Sequence, residues 1–220
     1  MNFLKVKNVS HKYPGQEDSA VKEVSFDLDK GKIMAFLGPS GVGKTTILRC
    51  IAGFEQIDSG EILIDGELIA GDQFSMPVEK RNIGIVLQNF ALFPHLSLRK
   101  NIEFGLKGID ESERKKRVEE LVEMTNLGPC CDNLPKEVSG GQQQRAAIAR
   151  AIAPRPRLLL MDEPFANLDA TLKTNIKEDI KALLENYKMT TIIVTHNRHE
   201  VENIAHTIGE FSEQGFKIDA

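Results

Sequence analysis

Residues 38 to 45 read Gly38-Pro39-Ser40-Gly41-Val42-Gly43-Lys44-Thr45, the pattern G-x-x-x-x-G-K-[ST], and few stretches this short restrict a fold so tightly. Its glycines let the backbone curl with its N–H groups inward, a concavity that suits a polyphosphate. Lys44 is then expected to reach the β- and γ-phosphates, and the Thr45 hydroxyl to sit on Mg²⁺. The loop needs a strand before it and a helix after it. Lys32 to Leu37 supplies a short apolar run that suits a buried strand. Thr46 to Ala52 carries apolar residues at helical spacing, with Gly53 as a C-terminal stop. The helix N-terminus would place partial positive charge beneath the phosphates.

The rest of the chain repeats this alternation. Residues 3–9 and 21–29 read as strands joined by a polar turn around Pro14-Gly15. Ile62-Leu63-Ile64 is a further strand bounded by turn residues, and residues 83–87 form a buried-strand candidate. Leu158 to Met161 and Thr191 to Val194 are apolar strands separated by a helical stretch over 170–187. Strands alternating with helices predict a mainly parallel sheet. Residues 112–126 form an amphipathic helix with Val118, Leu121, Val122 and Thr125 on one face, and its charge run reads as a solvated face. The stretch 90–155 is expected to be a mostly helical subdomain inserted between core strands. The 220 residues suffice for one large α/β domain with a real core.

Composition excludes more than it assigns. With 41% hydrophobic and 27% charged residues the chain has the balance of a soluble globular protein. A net charge of −4 gives no basic footprint for nucleic acid. No apolar run approaches the roughly 20 residues of a membrane span, and the N-terminus lacks a signal-peptide pattern, so a cytoplasmic location is expected. Cys50, Cys130 and Cys131 match neither a disulfide framework nor a zinc site, and Cys50 is expected to be a small buried hydrophobe.

Two further stretches carry chemistry. Leu158 to Met161 runs into Asp162 and Glu163. A carboxylate at the C-terminal edge of such a strand can face Mg²⁺, and the next can orient or deprotonate an attacking water. Ser139-Gly140-Gly141-Gln142 precedes a helical run through Ile152. Ser139 and Gln142 have capping-box spacing, and an exposed helix N-terminus beside two glycines also attracts anions. A second phosphate element in one chain is unexpected unless it serves a nucleotide bound to another copy.

Together these residues resemble the ATP-binding-cassette (ABC) ATPases, the nucleotide-binding subunits of ABC transporters, over essentially the whole chain. The resemblance rests on the loop at 38–45, the Ser139-Gly140-Gly141-Gln142 signature and the strand ending in Asp162-Glu163. It implies an α/β fold: a phosphate-loop NTPase (RecA-like) core with a mainly parallel sheet, an N-terminal antiparallel β subdomain and an inserted α-helical subdomain. It implies ATP and Mg²⁺ as ligands. Gly38, Pro39, Ser40, Gly41, Val42, Gly43, Lys44, Thr45 and Thr46 would hold the phosphates, and Tyr13 would stack on adenine. Thr45, Gln88 and Asp162 would serve Mg²⁺, and Gln88 would also sense the membrane partner. Glu163 would act on the attacking water, with Lys44, Gln88 and the switch histidine His196 completing the catalytic set. Asp169 would cross a dimer interface. Two subunits, as a homodimer or with a related ATPase, would sandwich two ATP molecules, each between the loop of one and the signature of the other.

The stretch Gln88 to Leu98 with Asn101 to Leu106 looks like bacterial importers of the sugar, polyamine, sulfate and ferric-iron groups. Arg49 to Gln56, Pro77 to Arg81 and Ser139 to Arg145 lean towards the ferric-iron group. Phe90, Leu92 and Phe93 would suit a groove for a short helix of a membrane subunit. The implied partners are two transmembrane permeases and, indirectly, an extracytoplasmic solute-binding protein, with no nucleic acid. The implied location is peripheral, on the cytoplasmic face of the inner or plasma membrane, with the isolated chain soluble. Val138 departs from the family's leucine and Ala166 from its frequent serine, which removes a hydroxyl from the interface loop. Ending at Ala220, the chain is expected to lack the C-terminal regulatory domain of many relatives. The alternatives are a soluble ABC ATPase acting on DNA or the ribosome, and a module that binds ATP but barely hydrolyses it. The first lacks its usual coiled-coil insertion or second cassette here, and Glu163 with His196 argues against the second.

Overall fold

Short apolar strands, each delivering a loop at the same edge, build the centre of this molecule. The computed structural model describes residues 2–106, 108–166 and 170–218, the last from 170 to 175 as backbone alone. The chain opens with strands β1 (Asn2–His11), β2 (Val21–Asp29) and β3 (Ile33–Leu37), then helix α1 (Lys44–Ala52). Strands β4 (Ser59–Ile64), β5 (Glu67–Gly71), β6 (Phe74–Ser75) and β7 (Ile83–Val86) follow. The chain then leaves the sheets for helices α2 (Leu98–Glu103), α3 (Glu111–Met124) and α4 (Gly140–Ile152). It returns as β8 (Leu158–Asp162), α5 (Ala170–Asn186), β9 (Thr191–Val194), β10 (Thr207–Ser212) and β11 (Gly215–Ile218).

The central sheet has the order β11-β10-β3-β9-β8-β7 and is parallel except for β11. The mainly parallel sheet expected from the sequence is present, as is the N-terminal antiparallel sheet, ordered β2-β1-β4-β5-β6. Strands β3, β8 and β9 are buried at every position, because both faces of a parallel sheet are covered. Their alternation sorts side chains into two cores. Ile33, Ala35, Leu159, Met161 and Ile193 join Ile148 of α4 and Ile180 and Leu183 of α5. Met34, Phe36, Leu158, Leu160, Ile192 and Val194 join Ile47, Leu48 and Ile51 of α1 and Leu4, Val6, Ile62 and Ile64 of the antiparallel sheet. Each fully buried aliphatic side chain contributes about 1.5–3 kcal/mol, so α1 is clamped between two sheets by its own apolar face.

Register then fixes the edge. β3 pairs with β9 from Ile33↔Thr191 to Phe36↔Val194, and β8 pairs with β9 from Leu159↔Thr191 to Asp162↔Val194. One more backbone bond continues each ladder: Thr195 N–H donates to the Phe36 carbonyl at 3.0 Å and Glu163 N–H to the Val194 carbonyl at 2.9 Å. The loop after β3, the carboxylates ending β8 and the residues after β9 therefore leave the sheet side by side.

Several sequence expectations shift. The strand over 83–87 stops at Val86, and Leu87 is exposed. The helix after the loop begins at Lys44, because Gly43 takes the N-cap position. Val118, Leu121, Val122 and Thr125 are buried as their spacing predicts, but the charge run of α3 is not wholly a solvated face, because Arg117 is only 5% exposed. All three cysteines are free and buried. Burial pushes the Cys50 thiol up to about 12, which leaves it unreactive as expected. Among the described residues no helix is long and apolar enough to cross a membrane.

Candidate active site

Gly43 shows why the loop needs its glycines. It sits at φ 100°, and a Cβ there would lie 2.1 Å from the Ala20 carbonyl oxygen. Any side chain would carry left-handed strain and also collide with the segment leading into β2. Freed of side chains, the backbone turns directly into α1, where Lys44 is 5% exposed. The Lys44 ammonium donates to the Gly38 and Pro39 carbonyls, each at 2.7 Å, so it lies across the loop it belongs to. Burial lowers its pKa below the usual lysine value, while the nearby Glu163 and Asp162 carboxylates pull the other way. Ser40 and Gly41 are exposed at the rim, Val42 is half-buried and Thr46 is buried.

Two side-chain pairs close around this loop. The Thr45 hydroxyl donates to Asp162 Oδ1 at 3.0 Å, across 117 residues of chain. Desolvation raises the Asp162 pKa above the ordinary aspartate value; the Thr45 bond lowers it and the Glu163 charge raises it further. Glu163 follows at φ 47°, a left-handed conformation unusual for a residue with a side chain. Its carboxylate lies 3.0 Å, through either oxygen, from His196 Nδ1. The Glu163 side chain is 14% exposed and the His196 side chain 57%, so the pair lies at the mouth of the site. The Thr195 hydroxyl donates to Glu200 at 2.7 Å, which braces the turn that presents His196.

Tyr13 reaches the same place from the antiparallel sheet. Its hydroxyl is 3.3 Å from Thr46 Oγ1, and its ring meets that of His11 edge-on, with centroids 4.7 Å apart. His11 was not legible as the neighbour of Tyr13. It is buried with Nδ1 at 2.7 Å from the Gln56 carbonyl, and a histidine closing a strand carries no motif. Gln88 lies two residues beyond β7, exposed, at the same sheet edge.

The signature stands apart. Ser139 caps α4: its hydroxyl accepts from Gln142 N–H at 3.3 Å, and Gln142 Oε1 accepts from Ser139 N–H at 2.8 Å. The capping box read from the sequence is present. Ser139 is exposed, Gly140 and Gln142 are half-buried, and Gly141 is buried. Among the described residues no side-chain hydrogen bond joins Ser139–Gln142 to the loop at 38–45. Asp169 lies outside the described residues. Of the three residues expected to form a groove, Phe90 is buried in the core, while Leu92 and Phe93 are half-buried. Phe93 packs against the exposed Phe104, with ring centroids 4.3 Å apart and the rings tilted by 45°, so Phe104 replaces Phe90 as a surface aromatic there.

A sequence model described as ABC transporter matches residues 21–166. The chain belongs to the ABC transporter family. The ferric-ion import ATP-binding protein FbpC 2 of Haemophilus influenzae is 44% identical over 90% of this chain and 56% of its own length. The spermidine/putrescine import ATP-binding protein PotA of Nitrosospira multiformis is 44% identical over 94% and 56%. The chain thus spans little more than half the length of these relatives. Among solved structures, cbiO1 of Clostridium perfringens, part of the ABC transporter complex cbiONQ, superposes with a TM-score of 0.88 at 28% identity, covering 98% of this chain and 87% of that one. A dimeric ATP-binding cassette in a post-hydrolysis state with ADP and Pi superposes with a TM-score of 0.83 at 32% identity, covering 98% and 97%. The fold is therefore that of the ABC ATPase domains.

Proposed function

We propose that this chain is the ATP-hydrolysing subunit of an ABC importer, acting as a dimer beneath two permease subunits. The observation that carries this reading is the pair of dyads beside Lys44: Thr45 with Asp162, and Glu163 with His196. The phosphates of ATP would enter the loop, and Lys44 would exchange the Gly38 and Pro39 carbonyls for phosphate oxygens. Tyr13, over the first turn of α1, is suited to the adenine ring.

The Thr45 hydroxyl and Asp162 carboxylate are hard oxygen donors that fit Mg²⁺, with Gln88 at the same edge and water and phosphate as further ligands. A cation held there would neutralise charge developing on the phosphate oxygens. Glu163 takes a proton from the attacking water as that water bonds the γ-phosphorus. The bond to the β–γ bridging oxygen breaks, and its electron pair leaves with ADP. His196 holds the Glu163 carboxylate in line and is suited to touch the γ-phosphate. Ser139 to Gln142 of a second copy would close over the nucleotide, with Asp169 crossing between the copies.

We place residues 1–220 in one ABC ATPase domain, with a helical subdomain over about 90–155 whose Leu92, Phe93 and Phe104 receive a short helix of the permease. The import functions named for the relatives favour this reading over a soluble ABC ATPase, and among cargoes they favour ferric iron first and polyamines second. A solute-binding protein would deliver the cargo outside, and the chain would sit peripherally on the cytoplasmic face of the membrane. The test is Glu163→Gln in a phosphate-release assay. Steady hydrolysis is expected to vanish while ATP binding persists and an ATP-dependent dimer accumulates; near-normal turnover in that variant would overturn the assignment.

A further inference from the structure

Two arginines are buried away from the nucleotide edge, and both end at the last turn of a helix whose first turn faces phosphate in the reading above. Arg81, just before β7, is fully buried. Its Nη1 donates to the Cys50 and Ile51 carbonyls of α1, each at 2.8 Å, its Nε to the Met76 carbonyl at 2.9 Å and its Nη2 to Ser75 Oγ at 2.9 Å. Arg117, on α3, treats α4 in the same way. Its Nη2 donates to the Ile152 carbonyl at 3.1 Å and its Nε to the Ala153 carbonyl at 3.3 Å. Its Nη1 donates to the Tyr187 hydroxyl at 2.8 Å and to Glu120 at 2.9 Å, and the guanidinium lies 5.0 Å from the Tyr187 ring centroid.

A charge is not needed merely to end these helices, since Gly53 N–H already bonds the Arg49 and Cys50 carbonyls of α1 and Arg155 N–H the Ile152 carbonyl of α4 at 2.9 Å. Burying Arg81 is costly, and the four acceptors that receive it are all neutral oxygens. It is held by carbonyl dipoles and the negative end of α1. Each arginine also ties its helix to a strand that delivers a site residue. The Arg81 carbonyl accepts from Arg157 Nε at 2.8 Å and the Asn82 carbonyl from Arg157 N–H at 2.9 Å, so β7, leading to Gln88, and β8, leading to Asp162 and Glu163, start from one clamp. Tyr187 follows α5 and precedes β9, which leads to His196.

We propose that Arg81 and Arg117 are positioning residues with separable roles. Arg81 sets the phosphate-loop helix against β7 and β8 within one chain and so governs nucleotide affinity. Arg117 sets the height of the signature helix against the core and so governs closure over the nucleotide of a second copy. The inference rests on the shared-site reading of the preceding section.

The test uses the full chain with Mg²⁺ and the fluorescent nucleotide mant-ATP, alongside steady-state hydrolysis and thermal unfolding. Arg81→Lys and Ser75→Ala are expected to raise the mant-ATP Kd and the KM for ATP, about tenfold for the lysine variant, with kcat at saturation held within about twofold. Arg117→Lys and Tyr187→Phe are expected to leave mant-ATP affinity within about twofold and to lower kcat, about tenfold for the lysine variant, with a matching loss of ATP-dependent dimer. Ser75→Ala and Tyr187→Phe each remove one hydroxyl and keep the test open if a lysine variant fails to fold. Equal changes of KM and kcat in both sets, changes that only follow the melting temperature, or no change in either would overturn the inference. A wild-type chain that neither binds mant-ATP nor hydrolyses ATP would instead overturn the functional reading beneath it.

Discussion

The loop edge and the signature helix, the two regions proposed to meet phosphate, differ in how their polar groups are satisfied. At the loop edge two pairs join distant parts of the same chain, Thr45 with Asp162 and Glu163 with His196, while Lys44 folds back on its own loop. At the signature the partners are local, Ser139 and Gln142 bonding one another across one turn. The first region is a cluster of side chains joined across the sheet edge; the second is a capped helix end with Ser139 exposed. The proposed site, divided between two copies, would require that difference, because only the half that binds nucleotide alone would have to be assembled by the fold.

The comparison can be broken most severely at the Glu163–His196 pair. His196→Ala is expected to lower kcat by about 10²-fold, and Glu163→Gln by about 10³-fold or more, to background. The double variant should be no slower than Glu163→Gln alone, because the two act as a unit. Additive losses in phosphate-release kinetics would show that the histidine works without the carboxylate. Next in size, Gly43→Ala forces a Cβ to 2.1 Å from the Ala20 carbonyl at φ 100°. It should cost about 2–3 kcal/mol in denaturant unfolding and abolish mant-ATP binding, since strain at such a position is of that order.

Ser139→Ala probes the other region. It removes one N-cap and should cost about 1 kcal/mol of stability. Nucleotide affinity of the isolated chain should hold while hydrolysis falls, and a loss of affinity would mean that the signature serves its own nucleotide. The smallest effect on stability is expected at Asp162. Its raised pKa means that the unfolded chain ionises first as pH rises. Stability should therefore decline between the ordinary aspartate value and the raised one, and stay lower above both. Asp162→Asn keeps an acceptor for Thr45 but removes the buried charge. Its melting temperature at neutral pH should be at or above that of the wild type while hydrolysis is lost. A clear drop in melting temperature would show that the ionised carboxylate stabilises the fold.

Much of this was legible where the signal is local or periodic. Strands β3, β8 and β9 announce themselves as apolar runs, and α3 and α4 by helical spacing. Gly53 reads as a stop, which it is, at φ 90°; its second role, a bed for the Arg81 guanidinium 2.6 Å from where a Cβ would stand, could not be read. The hairpins β5–β6 and β10–β11 were not resolved as pairs, because strands such as Phe74–Ser75 are too short to show alternation. Arg117 was hidden in a charge run whose other members are exposed or half-exposed. A periodic pattern gives the face of a helix, but not that one long side chain on it reaches across to another helix's last carbonyls.

By itself, the sequence determined the phosphate loop, the strand–loop–helix order around it, the carboxylate pair after an apolar strand and the capped signature helix. Each depends on neighbours within a few residues, where backbone freedom, apolar spacing and capping act. The tertiary structure alone decided the order β11-β10-β3-β9-β8-β7, and with it the meeting of Thr45 with Asp162 and of Glu163 with His196. It alone assigned the two buried arginines their helix ends. Buried donors and acceptors must find partners wherever the packed chain brings them, and sequence spacing does not record those meetings.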